Sequence, residues 1–441
     1  MSIIKLLNKK IDRITFTTPS HNQKPVFSDN LESFYKHDFS ELVGFDNLSN
    51  PKNSILMAQG KVSDCLKTKQ SFFVVQGATT ALLAAMKALI NPGDRVLAAR
   101  NCHKTVFNGL ILTAGIVDWF IPETDSDWGI YTTIDPKKLE QTLELNDYKV
   151  FIMTSPTYEG VNSDIKKIAS ICANHNTYLI VDESHGSLYN FSDKLPSSAI
   201  VQGADVSVNS LHKTAGALNQ CALLNISANI KNIDTQLFQK ALNIFQTTSP
   251  SYPLLENIES CISYLSSNKG KKEIDKLLKN IEKFKNQLKN KGIEFYEAQN
   301  HDPTKILLKK EGTGGFSLSN QLFDNYNIED EMSNPFCVLC LAGIGTTKQK
   351  LDKLKTALKK ITPDSKFEAP TANFQPYPIV KIQPVKTFNQ EYIYINKNDS
   401  VNRISNGLIL PYPPGIGLLY PGEAIQKWHL DYLNNDVEVI V

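Results

Sequence analysis

The sequence predicts an α/β protein built on a mostly parallel sheet with helices on both faces. Three observations point there. Short apolar runs rich in β-branched and aromatic residues recur between residues 70 and 226, among them "SFFVV", "VFIMT" and "YLIVD". Most are separated by stretches with apolar residues at helical spacing, such as "ATTALLAAMKALI" and "DIKKIASICANH". Several runs end in polar residues that can do chemistry, and in open parallel sheets ligands bind outside the carboxyl ends of the strands.

Taken in order, "ILMAQGKVSDCL" reads as a helix and "SFFVVQG" as a strand ending in Gly77. "ATTALLAAMKALI" is a helix stopped by "NPGD", whose Pro and Gly cannot continue it. "RVLAA" is a strand, "TVFNGLILTAG" a helix and "VDWFIP" a strand; "VFIMTSPT", "TYLIVDES", "ADVSVNSL" and "CALLNI" are further strands. "SPSYPLLENIESCISYLSS" then reads as a long helix. In the lysine-rich segment 269–292, Ile274, Leu277, Leu278, Ile281, Phe284 and Leu288 recur at helical spacing. Its lysines are expected on a solvated face. "KILLKK", "FCVLCLAGI" and "KQKLDKLKTALKKI" form a strand, strand and helix. "EGTGGF" (311–316) has the glycines of a phosphate loop but no following lysine, so a turn is expected.

At 441 residues the chain is too long for one small core. The expected division is an N-terminal arm (1–50), a large domain (51–265), a smaller α+β domain (266–364) and a C-terminal domain (365–441). A net charge of +2 argues against nucleic acid as the main partner. No apolar run reaches the length of a membrane span. "MSIIKLLNKKIDR" lacks a signal-peptide core. Seven scattered cysteines fit a reduced, cytoplasmic chain. Cys337 and Cys340 form C-x-x-C within an apolar run and have no second pair at zinc spacing, so a buried strand is expected there and no metal.

Four predicted strand ends carry the candidate chemistry. "QGATTA" (76–81) joins a strand to a helix N-terminus, an anion site to which Thr79 and Thr80 add hydroxyls. His103 follows the next strand in "RNCHK", Asp182 ends an apolar strand in "VDESHG", and Lys213 ends another in "NSLHK". Each is ordinary alone. Together they suit pyridoxal phosphate. Its aldehyde needs an amine, and partial burial favours the nucleophilic form of a lysine. Its pyridine nitrogen needs a carboxylate to stay protonated. Its phosphate needs the Gly77 turn with Ser210, and its ring needs a flat partner such as His103.

These motifs resemble the ornithine/lysine/arginine decarboxylase family of fold type I pyridoxal-phosphate enzymes. The resemblance runs in order through "HDFSELVGFDNLSNP", "VVQGATTALLAAMKALINPGDRVLAARNCHKTVFNG", "SPTYEGV", "VDESHG", "SVNSLHKT", "TTSPSY" and "LPYPPGIGLLYPGE". The last resembles a segment of that family's own C-terminal domain. The resemblance implies a three-layer, aspartate aminotransferase-like fold. It implies a carboxy-lyase that converts a basic amino acid to a diamine or polyamine precursor. Lys213 would carry the internal aldimine, Asp182 the pyridinium, and His103 would stack on the ring. Gly77, Ala78, Thr79, His185, Ser210 and His212 would complete the cofactor site, with His212 or Lys213 returning a proton. Thr247 and Ser249 would reach the cofactor of the neighbouring subunit in a homodimer. Two departures stand out. The phosphate turn has Ala78 where the family has a hydroxyl, which predicts weaker cofactor retention, and "TPSHNQ" keeps only His21 of the family's arm motif.

The cofactor by itself also supports transamination, elimination and aldol cleavage, and a catalytically weak regulatory homologue would share the same fold. The chain has four arginines, Arg13, Arg95, Arg100 and Arg403. So few mildly favour decarboxylation, in which the carboxylate must leave unclamped. Glu159 and Glu423 are candidate acceptors for a substrate's distal cation. The short arm predicts no wing domain and a dimer or dimer of dimers.

Overall fold

A computed structural model describes residues 2–7, 32–42, 44–368, 378–411 and 415–441. His21 and the centre of the "LPYPPGIG" segment lie outside the described residues. The chain forms two compact units, one of residues 1–88 and 183–275, the other of residues 89–182 and 276–441.

The large-sheet strands are β1 (Gln70–Val74), β2 (Arg95–Ala99), β3 (Ile116–Phe120), β4 (Val150–Thr154), β5 (Tyr178–Asp182), β6 (Val206–Ser210) and β7 (Ala222–Ile226), in the order β1-β7-β6 in the first unit and β5-β4-β2-β3 in the second. All seven predicted strands are present. In the second unit β5, β4, β2 and β3 pair in parallel. The interiors of β4 and β5 are almost entirely buried, which is why they read as unbroken apolar runs and not as alternating ones. In the first unit β7 is antiparallel to both β1 and β6. Only residues 211–221 join β6 to β7, too short a link for the crossover that a parallel pair needs.

The first unit is entered through Asp46. Its carboxylate accepts backbone N–H bonds from Asn47 and Lys52 on Oδ1, and from Asn53 and Ile55 on Oδ2, at 2.7 to 3.0 Å. These cap helix α1 (Ser54–Leu66), whose own N-cap side chain makes no such bond. The Tyr252 hydroxyl donates to the Asp46 carbonyl, tying the cap to the helix Tyr252–Ser266. Asp46 is buried, so Asp46→Ala strands several donors at once. It is expected to destabilise the protein by about 2–3 kcal/mol, read as a lower denaturant midpoint at unchanged slope.

The second unit adds a four-stranded antiparallel sheet, Ile293–Phe295, Lys305–Lys310, Val338–Leu341 and Met332–Ser333 in spatial order. Cys340 lies in its third strand, paired with Ile306. Burial pushes the Cys337 and Cys340 thiols up to about 12. The helix Asn268–Leu288 buries Ile274, Leu277, Ile281, Phe284 and Leu288. Each such side chain contributes roughly 1.5–3 kcal/mol, which outweighs the sequence's charged look. "EGTGGF" is a turn into the helix Gly315–Tyr326. The Gly314 amide and the Ser317 hydroxyl both donate to Asp364, so a carboxylate of the chain itself sits at that helix start. A two-stranded sheet, Tyr392–Asn396 with Asp436–Ile440, lies near the C-terminus. Among the described residues no helix is long and apolar enough to cross a membrane.

Candidate functional site

In the first unit, β1 runs through Gln76 into helix α2 (Gly77–Leu89). Gly77 has φ +81°, a region that side chains disfavour. Its N–H bonds the Gln220 carbonyl at 2.8 Å. Nothing lies within 4 Å of where a Cβ would point, so the glycine is required by conformation and the space before the turn is open. Ala78 and Thr79 follow at the helix start and are partly or fully exposed. Thr80 differs from expectation: it is buried and its hydroxyl donates to the Gln76 carbonyl at 3.3 Å, closing the turn and taking no part in the anion site.

The Gln76 side chain adds a link that the motif alone does not disclose. Its Oε1 accepts the Thr247 N–H at 2.6 Å. Thr247 Oγ1 in turn accepts the Ser249 N–H and lies 3.2 Å from Ser249 Oγ. Thr247 and Ser249 are therefore brought to the Gly77 turn of their own chain.

The end of β6 carries Ser210, His212 and Lys213. Ser210 is buried; its carbonyl accepts the Ser187 hydroxyl at 3.0 Å, and its Oγ lies 3.4 Å from His212 Nδ1. Burial, with the charge of Lys213, lowers the pKa of His212. Lys213 is partly buried, and its Nζ lies 2.8 Å from His185 Nε2. The sequence proposed both residues, and the structure shows the direct contact. The neighbouring Thr214 Oγ1 is buried without a hydrogen-bond partner among the described residues.

A buried polar ladder underlies this strand end. Ser71 on β1 donates to Asn225 on β7 at 2.8 Å, Asn225 donates to Asn209 on β6 at 2.7 Å, and Asn209 donates to the Glu183 carbonyl and carboxylate at 3.1 Å. All four residues are buried. Satisfied buried amides hold one register strongly, because a slip would leave them unpaired. Sequence reasoning missed this ladder; its one signal is three polar residues within otherwise apolar strands.

In the second unit, three parallel strand ends carry the remaining residues. Asp182 ends β5 and is buried; its carbonyl accepts the Ser155 N–H at 3.1 Å. The loop after β4 carries "SPTYEG". The loop after β2 carries Arg100, Asn101, Cys102 and His103, followed by helix α3 (Thr105–Thr113). His103 Nδ1 lies 2.7 Å from the Thr105 hydroxyl and accepts the Thr105 N–H at 3.3 Å. An amide can only donate, so this assigns the ring proton to Nε2. Burial pushes the Cys102 thiol up to about 12, which makes it inert.

Neither glutamate proposed for the substrate's cation is available for it. Glu423 is buried and bonded to Arg100. Glu159 is buried, and burial raises its pKa, which disfavours the charged form; its carbonyl is bonded to His301 Nε2. Among the described residues no His, Cys, Asp and Glu cluster is arranged to hold a metal ion.

Comparison with known proteins bears on the family and the fold. The family model for the Orn/Lys/Arg decarboxylase major domain matches residues 5–307, and that for its C-terminal domain matches residues 370–440. The chain is 29% identical over 453 residues to an arginine decarboxylase of Bacillus anthracis, covering 98% of this chain and 91% of the relative. It is 22% identical to the inducible lysine decarboxylase of Escherichia coli K12, covering 94% and 73%. Among solved structures, the lysine decarboxylase of Francisella novicida superposes with a TM-score of 0.83 at 18% identity, covering all of this chain and 80% of that one.

Proposed function

We propose that this chain, which belongs to the Orn/Lys/Arg decarboxylase family and is therefore a carboxy-lyase, removes the α-carboxylate of arginine with pyridoxal phosphate as cofactor. The observation that carries the reading is the Lys213 amine held 2.8 Å from His185 at a strand end. The residues fit the cofactor. Lys213 supplies the amine. The turn at Gly77, with open space before it, supplies helix-terminal amides for a phosphate. Ser210 and His212 add polar atoms, and the Thr214 hydroxyl has no hydrogen-bond partner among the described residues. Asp182 would supply a carboxylate for the ring nitrogen, and His103 a flat ring.

When bound, pyridoxal phosphate delocalises the electron pair that departing carbon dioxide leaves on Cα. The protein does the rest. Lys213 would hold the cofactor's aldehyde and release it to substrate. Gly77, Ala78, Thr79, Ser210 and His212 would fix the phosphate, and with it the angle at which the carboxylate stands to the ring. Thr247 and Ser249, tied through Gln76 to the Gly77 turn of their own chain, would complete that chain's own site, at the interface of a homodimer. After carbon dioxide leaves, Cα needs one proton. His212 and Lys213 are the candidate donors, adjacent on one turn at the end of β6. The reduced cysteines support a cytoplasmic protein, and the product amine would serve as a polyamine precursor.

Arginine is favoured over lysine because the relative named for arginine is the more similar of the two reported, at 29% against 22% identity. Carbon dioxide release from arginine, lysine and ornithine by the cofactor-loaded protein tests this. Arginine is expected to show the highest kcat/KM by at least about tenfold, a margin that a site reading the guanidinium's hydrogen bonds can supply. A faster reaction with lysine or ornithine overturns the substrate; release from none of them overturns the activity.

A further inference from the structure

Arg100 and Glu423 are 323 residues apart in the chain and meet in the interior of the second unit. The Arg100 side chain is 0% exposed and that of Glu423 2%. Arg100 Nη1 donates to the Gly417 carbonyl at 2.7 Å; Nη2 donates to the Leu418 carbonyl at 3.3 Å and to Glu423 Oε2 at 3.0 Å. Glu423 also accepts the Tyr420 N–H at 2.7 Å. The guanidinium lies 4.5 Å from the Tyr420 ring centre and 5.0 Å from that of Trp119. Tyr420 stacks on Phe107, with ring centres 4.6 Å apart.

Isolated removal of two charges from water costs several kcal/mol each, so such a pair is weak grounds for stability and better suited to fixing one arrangement. What it fixes is visible beside it. The Lys104 N–H donates to the Gly415 carbonyl at 3.0 Å, and His103 pairs with Ile416 as an antiparallel bridge. Residues 100–104 are thus clasped at both ends by residues 415–423. The arginine's fork reads two successive carbonyls, which a slip of either segment would break.

We propose that Arg100 and Glu423 are positioning residues that set the placement of the His103 ring through the C-terminal segment 415–423. This rests on the reading above, in which His103 faces the cofactor ring. It gives the C-terminal segment a part in the reaction, although none of its residues was proposed to touch the cofactor.

The test uses Glu423→Gln, which is nearly isosteric, alongside Arg100→Lys, which keeps the charge and loses the fork. In cofactor-loaded protein each is expected to lower kcat at least about tenfold, with KM changed less than about threefold. The visible absorbance of lysine-bound pyridoxal is expected to remain. Combined with His103→Ala, each should add less than about twofold to the loss caused by His103→Ala alone, because residues acting as a unit are not additive. In cofactor-free protein, the 15N signals of the His103 ring, assigned by their disappearance in His103→Gln, should shift in both variants. Fully additive losses, or unmoved His103 signals in folded Glu423→Gln protein, overturn the proposal. Wild-type protein without visible absorbance or carbon dioxide release overturns the functional reading instead, and the cofactor-free spectra still decide the positioning role.

Discussion

Lys213→Ala is expected to give a folded protein that has no visible absorbance from bound pyridoxal and a kcat lowered at least about 10⁴-fold. The size of the effect follows from what the amine does. Without it the cofactor would be held only by phosphate and ring contacts, at a turn where Ala78 offers no hydroxyl. Its retention through ultrafiltration should therefore fall as well. Stability should change little, by about 1 kcal/mol or less, because Lys213 is only partly buried. The split between intact folding and lost absorbance is the diagnostic feature. Lys213→Arg sharpens it: the cation remains beside His185, yet a guanidinium does not capture an aldehyde under these conditions, so the absorbance should be lost equally. Visible absorbance surviving in either variant would assign the covalent link to another lysine.

The parts of the fold legible in the sequence are those that local chemistry decides. β4 and β5 are buried on both faces and so read as apolar runs. "QGATTA" reads as a strand-to-helix turn because its glycine needs a positive φ, which Gly77 has. Gly77, His103, Asp182 and Lys213 were singled out for a similar reason, since each lies at or just beyond the end of a predicted strand. What stayed hidden depends on partners distant in the chain. Asp46 is an ordinary loop aspartate until its carboxylate is seen on the amides that open α1. Asn209 and Asn225 look like breaks in strands until they bond one another. Glu423 looked like a free acid near a family motif, and nothing within its own segment signals Arg100. Such pairs have no period and no fixed spacing. The antiparallel course of β7 was recoverable in principle, since the link from β6 is plainly short. The hydroxyl of Thr80 was misassigned because a threonine at a helix start serves an anion or its own backbone equally well, and the sequence is the same in both cases.

A second large effect is expected at Lys305, which has no assigned chemistry. Its side chain is 0% exposed, and its Nζ bonds Asp302 Oδ2 at 2.8 Å and Thr304 Oγ1 at 3.2 Å. Around this pair the loop after β4 is bolted to residues 300–302. The Asp302 N–H donates to the Gly160 carbonyl at 2.8 Å, the Asn162 N–H to the Asn300 carbonyl at 3.0 Å, and His301 Nε2 to the Glu159 carbonyl at 2.9 Å. Gly160, at φ +100°, lies so close that a Cβ there would stand 2.5 Å from Lys305 Cγ. Lys305→Met keeps the stem's packing and removes the charge, leaving Asp302 buried without its cation. A loss of about 3–5 kcal/mol is expected. Replacing Asp302 by Leu as well should restore much of it, because no charge is then left unpaired. The pH dependence distinguishes this cause from a packing defect. Burial pushes the Asp302 pKa up, but the charge and hydrogen bonds of Lys305, with those of Thr304, hold it below the usual carboxylate value. A depressed folded pKa means that the wild-type contribution is fully present above the ordinary aspartate value of about 3.9 and is lost as pH falls through the lower folded one. In Lys305→Met the sign reverses: burial now raises the pKa of Asp302, so the penalty is full at neutral pH and fades as the carboxyl protonates. The stability gap between wild type and variant, measured from denaturant midpoints, should therefore be widest near pH 7 and narrow towards about pH 4. A gap that stays constant with pH, or a loss below about 1 kcal/mol, would mean that the ion pair does not hold this loop and that the surrounding backbone bonds suffice.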